Sequence, residues 1–222
     1  MAPKTTVYVK AVPGTNGTAL GDCPFSHKVL LTLEEKKVKH ERKYIDLQSK
    51  PQWFLDAFPA AEVPVLHMDG DWTPDSDAIC GLLETKFPKP SLAPRGSDHP
   101  GRWVFGAFVD YIRNTDESLE SDHKANLLEE LKGVNSHLEA TGGPFLDGAS
   151  VTSVDLALYP KFRHCLVACA AFKGLELETA DFSHFMRYME SFASRASAQS
   201  TFYPDEAIIE GWRPKVGIQV KL

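Results

Sequence analysis

Residues 22–28 read Asp-Cys-Pro-Phe-Ser-His-Lys. Cysteine chemistry belongs to the thiolate, and an ordinary thiol is mostly protonated near neutrality. Cys23 stands directly ahead of Pro24, a residue that suits the first turn of a helix because its missing N–H would find no partner there. A thiol at that point faces unpaired backbone N–H groups and the positive end of the helix dipole, and both favour its anion. A dithiol oxidoreductase would carry a second cysteine at position 26, where Ser26 cannot close a disulfide. An oxidised Cys23 must then be reduced by a thiol from outside the chain. The pattern points to monothiol redox chemistry rather than to an inert buried cysteine.

Elements able to position this sulfur flank it on both sides. Residues 6–12 are β-branched and apolar, stop at Pro13-Gly14 and read as a strand. A polar, glycine-rich loop follows over 14–21. From Pro24 onward, Phe25, Val29, Leu30 and Leu33 mark one face of an amphipathic helix. A second strand over 42–47, a helical turn over 51–58, a hairpin of 63–68 and 71–73 about Asp69-Gly70, and a helix over 76–87 come next. This β-α-β-α-β-β-α order is the thioredoxin-like arrangement, and its parallel start sets the end of strand one beside the first residues of helix one. The proline-rich stretch 88–100 reads as a linker. Helical patterns dominate beyond it, most clearly over 102–113, 123–141 and 152–172, the last opened by a capping box of Thr152 and Asp155. The expected fold class is α/β plus all-α: a thioredoxin-like domain over 1–87, a linker over 88–100 and an all-helical domain over 101–222.

Composition narrows the partners. The 222 residues carry a formal net charge of −6, without the clustered basic residues of phosphate-backbone binding, so no nucleic acid is expected. The longest apolar stretch, 165–172, is far short of a bilayer span, so no membrane partner is expected either. The N-terminal segment lacks the apolar region of a signal peptide, which favours a cytoplasmic location while leaving a mature organellar form open. Cys80, Cys165 and Cys169 show neither disulfide nor zinc spacing and fit a reducing compartment. His164, Cys165 and Cys169 crowd one helix, where they cannot surround an ion without help, so core packing is expected and no metal. Cys80 lies in an apolar helix stripe and also reads as core.

Two further positions bear on binding. Val63-Pro64 opens a strand, where proline often marks a cis bond or tight turn. In a thioredoxin-like domain the backbone before this proline faces the active cysteine and can pair with an extended peptide. Asp75-Ser76 begins a helix, where a side-chain oxygen and free N–H groups can hold a carboxylate or an α-amino group as well as cap the helix.

Taken together, VYVKA, LGDCPFSHKVLLTLEEKKV, KPQWFLDAFP, VPVL, WTPDSDAI and GWRPKV resemble plant-type glutathione-dependent dehydroascorbate reductases, members of the glutathione transferase superfamily. The resemblance covers nearly the whole chain, and DCPFS and GWRPKV are its most specific parts. It implies reduction of dehydroascorbate by two glutathione molecules, with glutathione as cosubstrate, no tightly bound cofactor, and a monomeric protein. Cys23 would be the nucleophile. Lys50, the backbone of Val63, Asp75 and Ser76 would hold glutathione, and Phe25 would wall the pocket. Lys10 and Asp22 would sit by the second substrate, where the Lys10 cation can favour the Cys23 thiolate and bond substrate oxygens.

One departure is His27, where glutamine is expected in such proteins; it reads as a solvated surface histidine. Trp212 either covers the substrate cleft or docks the tail. CPFS alone is shared with omega-class transferases and chloride intracellular channel proteins. The alternatives are therefore an omega-type glutathione-dependent thioltransferase and a non-enzymatic channel-like protein. Against the second, Glu34-Glu35-Lys36-Lys37 close the helix after Cys23 with charges that oppose membrane insertion.

Overall fold

The computed structural model describes residues 5–96 and 99–216. They group into two compact units: residues up to Leu92 together with Ser200–Tyr203, and the remainder from Ala93 onward.

The first unit is built on a four-stranded sheet in the order β2-β1-β3-β4, from β1 (Thr6–Lys10), β2 (Glu41–Ile45), β3 (Val65–Met68) and β4 (Asp71–Pro74). β1 runs parallel to β2 and antiparallel to β3, which is antiparallel to β4. Side chains alternate across a strand, so each face collects every second residue. Val7, Val9, Leu66 and Met68 pack with Val29, Leu30 and Leu33 of α1 (Pro24–Glu35) and with Ile79 and Leu83 of α3 (Ser76–Lys86). Tyr8, Ile45 and Val65 turn to the opposite face and meet Phe54 of α2 (Gln52–Ala57). The thioredoxin-like order read from the sequence is the one observed.

This topology gathers distant residues at one edge of the sheet. β1, β2 and β4 end there, and β3 begins there. The same edge therefore holds Lys10, the start of α1 with Cys23, Lys50 after β2, Val63 before β3, and Asp75-Ser76 after β4. The Val63–Pro64 peptide is cis. β1 ends at Lys10 rather than at Val12: Ala11 N still donates to the Ile45 carbonyl at 2.9 Å, but Ala11 pairs on its other side with Leu20 in an isolated bridge.

The second unit is helical: α4 (Val104–Arg113), α5 (Glu120–Thr141), α6 (Ser153–Lys173), α7 (Ser183–Ala193), α8 (Ala196–Ser200, whose last residue groups with the first unit) and α9 (Asp205–Trp212). α5 starts ahead of the expected His123, with Glu120 and Asp122 in its first turn where the dipole favours acids. The capping box is formed: the fully buried Asp155 carboxylate accepts from Thr152 N at 2.8 Å, Thr152 Oγ1 at 3.1 Å and Leu146 N at 2.9 Å. Burial pushes this carboxyl up, against the pull of its donors. His164, Cys165 and Cys169 are core residues, and contact with Cys169 together with burial pushes the Cys165 thiol well up. Trp212 docks the tail within this unit: its Nε1 donates to His164 Nδ1 at 3.0 Å and its ring meets Phe108 edge-on at 4.7 Å. Among the described residues no helix is long and apolar enough to cross a membrane.

His27 corrects the sequence reading. It is 1% exposed, not a solvated surface residue. Its Nε2 lies 3.0 Å from Thr201 Oγ1 and its ring meets Tyr203 edge-on at 5.1 Å. Arg42 NH1 donates to the Ser200 carbonyl at 2.8 Å. These contacts explain why Ser200–Tyr203, which the sequence reading assigns to the helical domain, group with the first unit.

Candidate active site

Cys23 is the N-cap of α1 and is partly exposed, with extended backbone (φ −89°, ψ 114°). Its Sγ accepts the backbone N–H of Ser26 at 3.4 Å, taking the place that a serine or aspartate oxygen holds in most helix caps. Pro24 adds no donor to the turn, and the twelve-residue helix behind it points its positive dipole end at the sulfur.

Ser26 does more than stand in for a second thiol. It is fully buried, and its Oγ accepts from Lys10 N at 3.4 Å, tying the first turn of α1 to the end of β1. Nothing in its residue type announces that contact. The chain leading into Cys23 is held equally closely: Gly21 N donates to the Lys10 carbonyl at 2.8 Å. A Cβ at Gly21 would lie 2.5 Å from the Ala11 carbonyl oxygen, so only glycine lets the backbone pass there.

Lys10 Nζ meets Asp22 Oδ1 at 2.5 Å, with the Asp22 side chain 4% exposed. The expected cation therefore arrives already paired. The two residues act beside Cys23 as a near-neutral unit of oriented donor and acceptor rather than as a free positive charge.

Asp75 caps α3 with φ 68° and ψ 130°, a backbone conformation that non-glycine residues seldom adopt. Such geometry persists only where the surroundings hold it, and it clusters at functional sites. Asp75 Oδ1 accepts from Asp77 N at 2.8 Å and Ala78 N at 3.0 Å, and these bonds hold its carboxyl below the ordinary range. Ser76 follows, buried in the first turn of α3. Phe25 lies exposed in the first turn of α1, Lys50 is exposed after β2, and Val63 is partly buried at the cis peptide. Lys10, Asp22, Cys23 and Ser26 thus form one bonded cluster, while Lys50, Val63, Asp75 and Ser76 share its edge of the sheet.

The lowered Asp75 carboxyl sets a pH dependence. Its contribution to stability is present above the unfolded value of about 3.9 and is lost as pH falls through the lower folded value. Asp75→Asn should therefore melt below the parent protein at pH 7, and the gap should narrow as the pH is taken below about 4. Thermal unfolding at both pH values checks this; an unchanged gap would contradict it.

The family described as glutathione S-transferase, N-terminal domain, matches residues 22–86. Probable glutathione S-transferase DHAR1, cytosolic, from Oryza sativa subsp. japonica is 44% identical over 212 residues, covering 95% of this chain and 97% of its own. Glutathione S-transferase DHAR2 from Arabidopsis thaliana is 42% identical over 198 residues, 89% of this chain and 92% of its own. The crystal structure of Chlamydomonas reinhardtii dehydroascorbate reductase superimposes with a TM-score of 0.86 at 36% identity, over 96% of this chain and 99% of that one. With matching sequence over almost its full length and the same fold around Cys23, the chain belongs to the dehydroascorbate reductase (DHAR) family of the glutathione transferase superfamily.

Proposed function

We propose that this chain reduces dehydroascorbate to ascorbate with two molecules of glutathione, and that Cys23 is the nucleophile. The observation that carries the mechanism is a partly exposed thiol capping α1, with Ser26 where a resolving cysteine would stand. The Cys23 thiolate gives an electron pair to the diketone as water supplies a hydroxyl to the sulfur; the diketone takes up one proton and leaves as ascorbate, and Cys23 is left as a sulfenic acid. The thiol of a first glutathione condenses with it to a mixed disulfide and releases water. A second glutathione thiolate attacks that disulfide, releases glutathione disulfide and returns the Cys23 thiolate.

Glutathione lies in extended form along the sheet edge in this reading. Its backbone pairs with that of Val63, Asp75 receives its α-amino group, Ser76 receives its α-carboxylate, and Lys50 pairs with the carboxylate at its other end. Phe25 walls the site, and the Lys10–Asp22 pair faces dehydroascorbate. Glutathione is a cosubstrate rather than a resident group, and the enzyme works as a cytosolic monomer; the rice relative's name, which includes "cytosolic", supports the compartment.

The test is the ultraviolet appearance of ascorbate from dehydroascorbate and glutathione, with the spontaneous rate subtracted and a glutathionylated thiol assayed alongside. Saturation in both substrates with parallel double-reciprocal lines is expected. A rate no faster than the spontaneous one would contradict the proposal, and a clear preference for the mixed disulfide would favour a thioltransferase.

Lys10 gives a second check. Lys10→Met should lower kcat/KM for dehydroascorbate about tenfold and slow iodoacetamide alkylation of Cys23, because it strands the Asp22 carboxylate as an uncompensated negative charge next to the sulfur. Lys10→Met combined with Asp22→Asn restores local neutrality and should recover the alkylation rate but not the turnover. Equal alkylation in all three proteins would contradict this electrostatic role.

A further inference from the structure

A polar seam is set into the apolar contact between α1 and α3. Lys28 of α1 pairs with Asp77 of α3, Thr32 Oγ1 lies 3.2 Å from Cys80 Sγ, and Lys36 Nζ meets Glu84 Oε2 at 2.6 Å. The partners recur at helical spacing on both elements, so the three rungs follow one stripe along each helix and fix their register.

The first rung lies at the active-site end. The Lys28 side chain is 9% exposed, whereas that of Asp77 is 87% exposed. Burying an ammonium is costly, and an apolar residue of similar length would pack against α3 at no loss of stability. The ion pair therefore contributes something other than fold stability. Asp77 bears directly on the site, because its backbone N–H donates to the Asp75 carboxylate at 2.8 Å. Asp75 itself holds a positive φ of 68°, a conformation that costs about 1–3 kcal/mol unless neighbours over-determine it. A continuous path thus runs from the helix capped by Cys23, through Lys28 and Asp77, to the strained residue that opens α3.

We propose that Lys28 is a positioning residue for glutathione: through Asp77 it holds the first turn of α3, and so Asp75 and Ser76, in register with Cys23. The proposal rests on the reading that Asp75 and Ser76 anchor glutathione. Lys28 lies outside the bonded cluster around the sulfur and acts only on where the cosubstrate sits.

Ping-pong kinetics separate the two half-reactions and supply the test. Lys28→Met should lower kcat/KM for glutathione about tenfold while kcat/KM for dehydroascorbate stays within about twofold. Its melting temperature should stay within about 2 °C of the parent's. Lys28→Arg, which can still reach Asp77, should recover most of the loss. Asp77→Asn should reproduce it, and the Lys28→Met/Asp77→Asn double variant should be no worse than either single one, since both break the same link.

The proposal is overturned if Lys28→Met leaves kcat/KM for glutathione unchanged, lowers both ratios alike, or multiplies its effect with that of Asp77→Asn. Calorimetric titration of Ser76→Ala with glutathione tells the two levels apart. Undiminished binding removes the anchor reading and this proposal with it. Lost binding in Ser76→Ala beside intact binding and kinetics in Lys28→Met removes the positioning role alone.

Discussion

Cys23→Ser should yield a folded protein whose glutathione-dependent turnover is lower by at least about a thousandfold. Serine is a better helix cap than cysteine, so its hydroxyl can take over the Ser26 N–H and α1 should keep its start. What is lost is the sulfur, since no oxygen can pass through a mixed disulfide with glutathione. The remaining thiols offer no bypass. Cys165 and Cys169 are buried in the helical unit, and burial pushes up the thiol of Cys80, which packs against the α1–α3 core. Circular dichroism and glutathione titration should match the parent protein. A variant that keeps more than about a tenth of the parent rate would remove Cys23 from the chemistry.

Asp155→Ala should cost more stability than Asp75→Asn or Lys28→Met. The fully buried carboxylate serves Leu146 N, Thr152 N and the Thr152 hydroxyl at once, joining the start of α6 to the segment before it. Removing it orphans two buried N–H groups and breaks the capping box. Each orphan costs about 1–3 kcal/mol, partly offset because the variant no longer desolvates a carboxylate. A net loss of about 3 kcal/mol follows, which lowers the melting temperature of a chain this size by on the order of 10 °C. Asp155→Asn keeps one acceptor oxygen and should fall between the two. Urea unfolding is the direct check, and a change under about 0.5 kcal/mol for Asp155→Ala would contradict the assigned role.

The parts of this molecule that could be read from sequence are those encoded locally. Cys23-Pro24 at the head of an apolar stripe announces a helix start, Thr152 and Asp155 announce another, and the alternation of strand and helix signals over the first 87 positions carries the order of elements. What is not legible there depends on distant partners. His27 looks like a surface residue by type, yet it faces inward because Thr201 and Tyr203, far along the chain, return to it. The Lys28–Asp77 pair and the Ser26 contact with Lys10 have no local signature, since each joins different elements. Asp75 is legible as a cap but not as a strained one, because its positive φ is imposed by the turn from β4 into α3. α7 is the exception: Phe185, Tyr188, Met189 and Phe192 repeat at helical spacing, a local signal for a helix outside the three clearest ones.

The central claim is that the electrons for ascorbate pass through one sulfur as a mixed disulfide, and peptide mass spectrometry tests it most directly. The reduced protein is given dehydroascorbate, then a single equivalent of glutathione, quenched in acid and digested. A glutathionyl group on the Cys23 peptide, removed by excess glutathione with release of glutathione disulfide, is the result required. Glutathionyl on Cys80, Cys165 or Cys169 with Cys23 unmodified, or full turnover with no glutathione bound to the protein, would contradict the mechanism.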